Sequence, residues 1–212
     1  MIALEISAIV FLFFLFAVSH TFLASRKIKI RLAQNIGSKI AFYRLFYNLS
    51  SLLFFFVFYE LSPKPDVIVY DLHYPYDIIT FALQVLSLFG LLWVANPISI
   101  KDFIGISQIE KYFKGNYDSG ELDEKLTLKI EGAFKFVRHP IYLFSILFLA
   151  FRPSMDLFYL TTLICVIIYF YIGSIYEEKK LVEVFGNDYL KYQQNVPRLI
   201  PWKKKRSNKE QK

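Results

Sequence analysis

Apolar residues arrive along this chain in long, nearly uninterrupted blocks, and the charged residues are gathered between them. The first block, Ile2–Ala24, is broken only by Glu5 and His20. At about 1.5 Å per residue it spans a hydrocarbon core of about 30 Å. A cleaved signal needs a basic start, and the early charge here is acidic, so a retained transmembrane helix is expected. Residues 25–39 are short, basic and amphipathic, the pattern of a segment lying at a membrane surface. The second block, 41–61, carries Tyr43, Arg44, Tyr47, Asn48 and Ser51 at helical spacing, which suits helix–helix packing. Residues 62–76 hold three prolines and read as a loop.

A third block covers 78–95 and ends at Asn96-Pro97. A long polar segment, 99–135, follows. Two further apolar runs, 141–151 and 157–176, are separated by Arg152-Pro153. The pattern predicts an all-α, polytopic membrane protein of five transmembrane helices. The fourth is short, tilted and paired with the fifth in a hairpin, extended at its far end by residues 152–155. An amphipathic segment closes the chain. Residues 1–202 are expected to form one domain, and 203–212 a basic tail lying against anionic lipid. Pro140 suits the first turn of the fourth helix, where its missing N–H costs nothing.

Composition adds a topology. The net charge is +7 and hydrophobic residues make up 55% of the chain. Strict alternation of the five spans places 23 of the 25 Lys and Arg on one side. By the positive-inside rule that side is cytoplasmic, so the N-terminus lies outside and the C-terminus inside. One cysteine, Cys165, excludes an internal disulfide. The basic balance does not indicate nucleic acid, because no aromatic residue follows Trp202 to offer a stacking platform.

Candidate chemistry is narrow. The eight glycines never form G-x-G, so a dinucleotide fingerprint is absent. Neither paired histidines at metal-ligand spacing nor C-x-x-C occurs, and no metal is expected. Polar residues gather instead at the cytoplasmic ends of the last two spans. Arg138, His139, Pro140 and Tyr142 open the fourth helix, Glu177 and Glu178 close the fifth, and Tyr189, Tyr192 and Arg198 follow. A hairpin brings these groups to one interfacial space. Cations, carboxylates and a helix N-terminus together suit a zwitterionic ligand. Each also has a plainer reading, as positive-inside anchor, aromatic belt or solvated helix end.

The stretches VRHPIY (137–142) and YEEKKLVEVFGNDYLKYQQNVPRLIPW (176–202) resemble the isoprenylcysteine carboxyl methyltransferase and phospholipid methyltransferase superfamily. Its pattern is R-H-P-x-Y, then E-E-x-x-L, then F-G-x-x-Y-x-x-Y-x-x-x-V-P. Residues 102–108, with Gln108, resemble the D-x-F-G-x-x-Q stretch of the methanethiol S-methyltransferase branch, shifted by one residue. SHTFLAS (19–25) and FYRLFYN (42–48) are similar to that branch as well.

The resemblance implies an integral-membrane methyltransferase dependent on S-adenosylmethionine. Arg138, His139, Pro140, Tyr142, Tyr189, Tyr192 and Gln108 would then contact the cofactor. Glu177, Glu178 and Arg198 would be the catalytic group, with a carboxylate such as Glu178 holding the sulfonium or taking a proton from the acceptor. The acceptor is a small or lipophilic molecule: a thiol, amine, lipid head group or carboxylate. Two departures stand out. Phe144 occupies a position usually held by Gly, where it would crowd a close helix or cofactor approach. Asn195 stands where the carboxyl methyltransferases carry a substrate-binding Arg, which disfavours a prenylcysteine carboxylate. An NADPH-dependent membrane reductase and a non-catalytic membrane scaffold are the competing readings.

Overall fold

The computed structural model describes residues 1–96, 99–118, 120, 122 and 127–202. Pro97 and the basic tail 203–212 lie outside the described residues. Among the described residues the chain is all-α apart from one short two-stranded sheet. Its helices are α1 (Ile2–Ala24), α2 (Arg26–Ile36), α3 (Tyr43–Leu61), α4 (Tyr76–Ala95), α5 (Ile100–Ile104) and α6 (Ile106–Phe113), then α7 (Pro140–Ala150), α8 (Leu157–Phe185) and α9 (Asn187–Asn195). Strands β1 (Ile68–Asp71) and β2 (Ser154–Asp156) pair with each other.

Among the described residues, four helical stretches are long and apolar enough to cross a membrane: Ile2–Ala24, Arg26–Leu61, Tyr76–Ala95 and Leu157–Phe185. Their outer faces expose Phe14, Leu52, Phe89 and Ile168 among many others, as expected of an integral membrane protein. The fifth expected span differs. Helix α7 has 11 residues, about 16 Å of helix. The sequence reading extended it through 152–155, but that stretch turns into β2, and its partner β1 lies within the loop that the prolines predicted.

By contacts the chain divides into two compact units. The first takes Met1–Val67, Asn96–Lys125 and Asp156–Thr162. Here α1 packs on α3 through edge-to-face and tilted aromatic pairs: Phe13 on Phe58 at 5.5 Å, Phe16 on Phe55 at 5.7 Å. Ring pairs at these separations add about 0.5–1.5 kcal/mol beyond buried area. Phe158 stacks on Phe58 and closes the layer.

The second unit takes Ile68–Ala95, Leu126–Met155 and Leu163–Lys212. Within it α7 lies along α4. The contact turns on Gly90, since a Cβ there would stand 2.5 Å from Phe144 Cδ1. Phe144, expected to crowd the cofactor site, therefore puts its ring into the notch that Gly90 leaves on α4. The sequence reading sets α7 against the fifth span; its principal backbone partner is α4, where Phe144 fills the notch at Gly90. Gln84 reinforces the pair by donating to the Phe148 carbonyl at 2.9 Å.

Helix α8 outruns its apolar stretch by nine residues, carrying Glu177 and Glu178 as part of the helix. It stops at Gly186, whose φ of +53° is a conformation glycine adopts without the Cβ clash of other residues. That break redirects the chain into α9.

Candidate functional site

The second unit holds a buried carboxylate on which its polar residues converge. Glu178, 3% exposed, sits on α8. Arg138 grips it with two parallel bonds, Nε to Oε1 at 2.8 Å and Nη2 to Oε2 at 3.0 Å. Arg198 donates from Nε at 3.2 Å and from Nη2 at 2.9 Å. His139 Nε2 adds a bond at 3.1 Å and Gln193 Nε2 another at 2.9 Å. Six donors thus occupy a group with about four lone-pair sites. Charge-assisted, bidentate bonds of this kind are the strong ones.

The same contacts fasten the C-terminal segment. Arg138 Nη1 donates to the carbonyls of Gln193 (2.9 Å) and Val196 (2.6 Å). The backbone N–H groups of Arg138 and His139 donate to the carbonyls of Pro197 and Arg198. Residues 196–198 are in this way laid across the entry to α7. Tyr192 donates to the Phe134 carbonyl at 2.6 Å, and Tyr189 is buried beside it with ring centres 5.7 Å apart. Burial pushes the Tyr192 phenol up to about 12 and raises Tyr189 as well. Both are therefore neutral hydrogen-bonding groups at ordinary pH.

Around this frame lies a more open rim. Glu177 is 51% exposed. Its Oε2 accepts from the Tyr142 hydroxyl at 3.1 Å and lies 3.2 Å from His139 Nδ1. Tyr142 is sandwiched in parallel between His139 (5.2 Å, 11°) and Phe170 (4.4 Å, 7°). Arg198, 28% exposed, places its guanidinium over the Tyr171 ring at 5.6 Å, in cation–π range.

Both nitrogens of His139 face carboxylates, an arrangement only the doubly protonated ring satisfies. Burial works against that charge. The hydrogen bonds and negative charges of Glu177 and Glu178 overcome it and hold the imidazole pKa above its ordinary value. The local balance is three cations against two carboxylates.

Nine of the ten residues singled out from sequence belong to this unit: Arg138, His139, Pro140, Tyr142, Glu177, Glu178, Tyr189, Tyr192 and Arg198. One correction follows, and one residue lies in the first unit. Glu178 cannot present a free oxygen to a sulfonium or an acceptor proton, because its lone pairs are spent on its four partner residues. Gln108 belongs to the other unit, on α6. With its amide turned to satisfy both neighbours it accepts from Arg44 Nη1 at 3.1 Å and donates to the Gly105 carbonyl at 3.3 Å. It serves the turn between α5 and α6.

Sequence reasoning missed Gln193, Phe170 and Tyr171. Gln193 follows Tyr189 by four residues on α9 and so shares its face, a signal that was present. The two aromatics sit within an apolar run where nothing marked them. Among the described residues there is no group of three or more His, Cys, Asp or Glu able to hold a metal.

No family model and no solved structure matches the chain. Curated proteins do. Methanethiol S-methyltransferase 1 of Bradyrhizobium diazoefficiens is 32% identical over 90% of this chain. Methanethiol S-methyltransferase of Crocosphaera subtropica is 29% identical over 91% of it. The enzyme of that name from Pseudomonas deceptionensis is 41% identical over 32% of this chain and 26% of its own length. The chain spans 65% of the length of the first and 73% of the second. Over nine-tenths of its length, then, the chain is similar to bacterial methanethiol S-methyltransferases, the branch that its motifs resemble.

Proposed function

We propose that this protein is an integral-membrane methyltransferase that uses S-adenosylmethionine and methylates a small thiol. The observation that carries the reading is the similarity over nine-tenths of the chain to proteins named for that activity. The residues at the α7 entry fit such a donor. Glu177, 51% exposed on the rim, suits a cationic centre. Arg198 and the N-terminus of α7 suit a carboxylate.

Bound there, S-adenosylmethionine supplies an electrophilic methyl on a positively charged sulfur. The chain's own part is alignment, which is worth several kcal/mol of barrier when the reacting atoms are held in line. Arg138, Glu178 and Gln193 act as the frame that positions 196–198. Glu177, Tyr142, His139 and Arg198 form the contact surface. The cytoplasmic charge bias puts this surface on the inner face of the membrane, where a soluble cofactor arrives.

Purified full-length protein in nanodiscs is mixed with methyl-labelled S-adenosylmethionine and ethanethiol. Label is expected in the thioether. Binding of NADPH in place of S-adenosylmethionine would support the reductase reading, and binding of neither would support the scaffold. Transfer to amines or lipid head groups with none to thiols would overturn the assigned acceptor.

A further inference from the structure

The first unit carries a set of surface elements that the residues at the α7 entry do not use. Helix α2 is set off from its neighbours by backbone breaks at both ends. Ser25 before it is extended, and Gly37 after it has a φ of +58°. Ile28, Leu32 and Ile36 recur every four residues and form one stripe of α2, while Lys27 and Arg31 share another face. Residues 25–44 hold six Lys and Arg and no Asp or Glu. Among them Arg26, Lys27, Arg31 and Lys39 are exposed. So many cations are costly in hydrocarbon, which keeps α2 at the membrane interface.

Helix α6 joins α2 here, since both pack on the turn Gly37–Phe42. Phe42 of that turn meets Tyr112 at 5.3 Å and Phe113 at 6.2 Å, both edge-to-face. Helix α3 pins the start of α6. Asn48 donates to the Phe103 and Ile104 carbonyls at 2.8 and 3.3 Å, and a Cβ at Gly105 would stand 2.8 Å from the Leu45 nitrogen. Phe113 remains 76% exposed and Phe42 37% exposed despite their contact. Fixed, exposed aromatic rings near a cluster of cations without carboxylates complement both halves of an anionic amphiphile.

We propose that α2, the turn Gly37–Phe42 and α6 form a shelf that binds anionic phospholipids of the bilayer. Lys27, Arg31 and Lys39 take the negatively charged headgroup, and Phe42 and Phe113 lie against the upper acyl chain. A zwitterionic headgroup would bring its own cation into the cluster, so the shelf selects for net negative charge. Lipid binding there is independent of the thiol methyltransferase reading.

A plain positive-inside anchor is the simpler role for these cations, and lipid selectivity separates the two. Full-length protein in a non-ionic detergent is titrated with phosphatidylglycerol or phosphatidylcholine, and bound lipid is counted by native mass spectrometry. Wild type should bind phosphatidylglycerol more tightly. Lys27→Gln, Arg31→Gln and Lys39→Gln combined should weaken that binding about a hundredfold, at about fivefold per cation, and leave phosphatidylcholine unchanged. Lys27→Arg with Lys39→Arg keeps the charge and should bind as wild type does. Phe113→Ser should weaken both lipids alike. All these side chains are exposed, so thermal midpoints should stay in place. Equal loss of both lipids in the triple variant, or no loss of phosphatidylglycerol, would overturn the shelf. So would displacement of the lipid by glycerol phosphate at equal concentration, which marks a soluble-phosphate site, or by polyglutamate, which marks an acidic protein site.

Discussion

At the scale of single residues, Glu177 and Glu178 show how one step along a helix separates two roles. Both read as catalytic carboxylates from the motif. Glu178 points inward and is consumed by Arg138, Arg198, His139 and Gln193, while Glu177 faces the open rim. Glu178→Gln would leave buried cations without their counter-charge, and breaking a buried pair from one side costs about 3–5 kcal/mol. Chemical denaturation should find the protein strongly destabilised. Glu177→Gln should leave stability within about 0.5 kcal/mol, as surface substitutions do, and weaken S-adenosylmethionine binding by calorimetry. The reverse order of effects would exchange the two assignments.

His139 adds a pH dependence. Its folded pKa is raised above the ordinary value of about 6.5. The stability it contributes is therefore fully present below that value and is lost as pH rises through the folded pKa. Thermal midpoints of wild type should fall between about pH 6.5 and the raised value, and His139→Gln should flatten that slope. A slope that survives the substitution would assign it to another group.

At the scale of elements, the boundaries of α1, α3 and α4 follow the apolar blocks to within two residues. A strand at 154–156 is not visible in the sequence, because a three-residue pairing depends on a partner strand, 68–71, far away in the chain rather than on local pattern. Neither is the length of α8, since Glu177 to Phe185 is polar yet still helix-forming. Phe144 looks like an obstacle in the sequence; opposite Gly90 it is a fitted contact. Gly90→Ala should cost about 1–3 kcal/mol through overpacking. Combining it with Phe144→Ala should cost less than the two singles together, since residues in contact couple. Strict additivity in denaturation midpoints would mean that the ring has room to move aside.

At the scale of the whole molecule, the distribution of Lys and Arg makes its own prediction. Reporter fusions should place the C-terminus in the cytoplasm and the N-terminus outside. This outcome requires α7 to count as a crossing despite its 11 residues. If α7 is re-entrant, both termini fall on the same side, and a fusion at the C-terminus reads the opposite way.

Sequence by itself determined the membrane class, the long spans and nine of the ten residues gathered in one unit. Apolar blocks report burial in lipid directly, and motif spacing carries the chemistry with it. Tertiary structure alone decided which carboxylate is spent and which is open, which helix receives Phe144, and that α2 and α6 pack on one turn. Those outcomes depend on side-chain direction and on contacts between residues far apart in the chain, and neither hydropathy nor spacing encodes them.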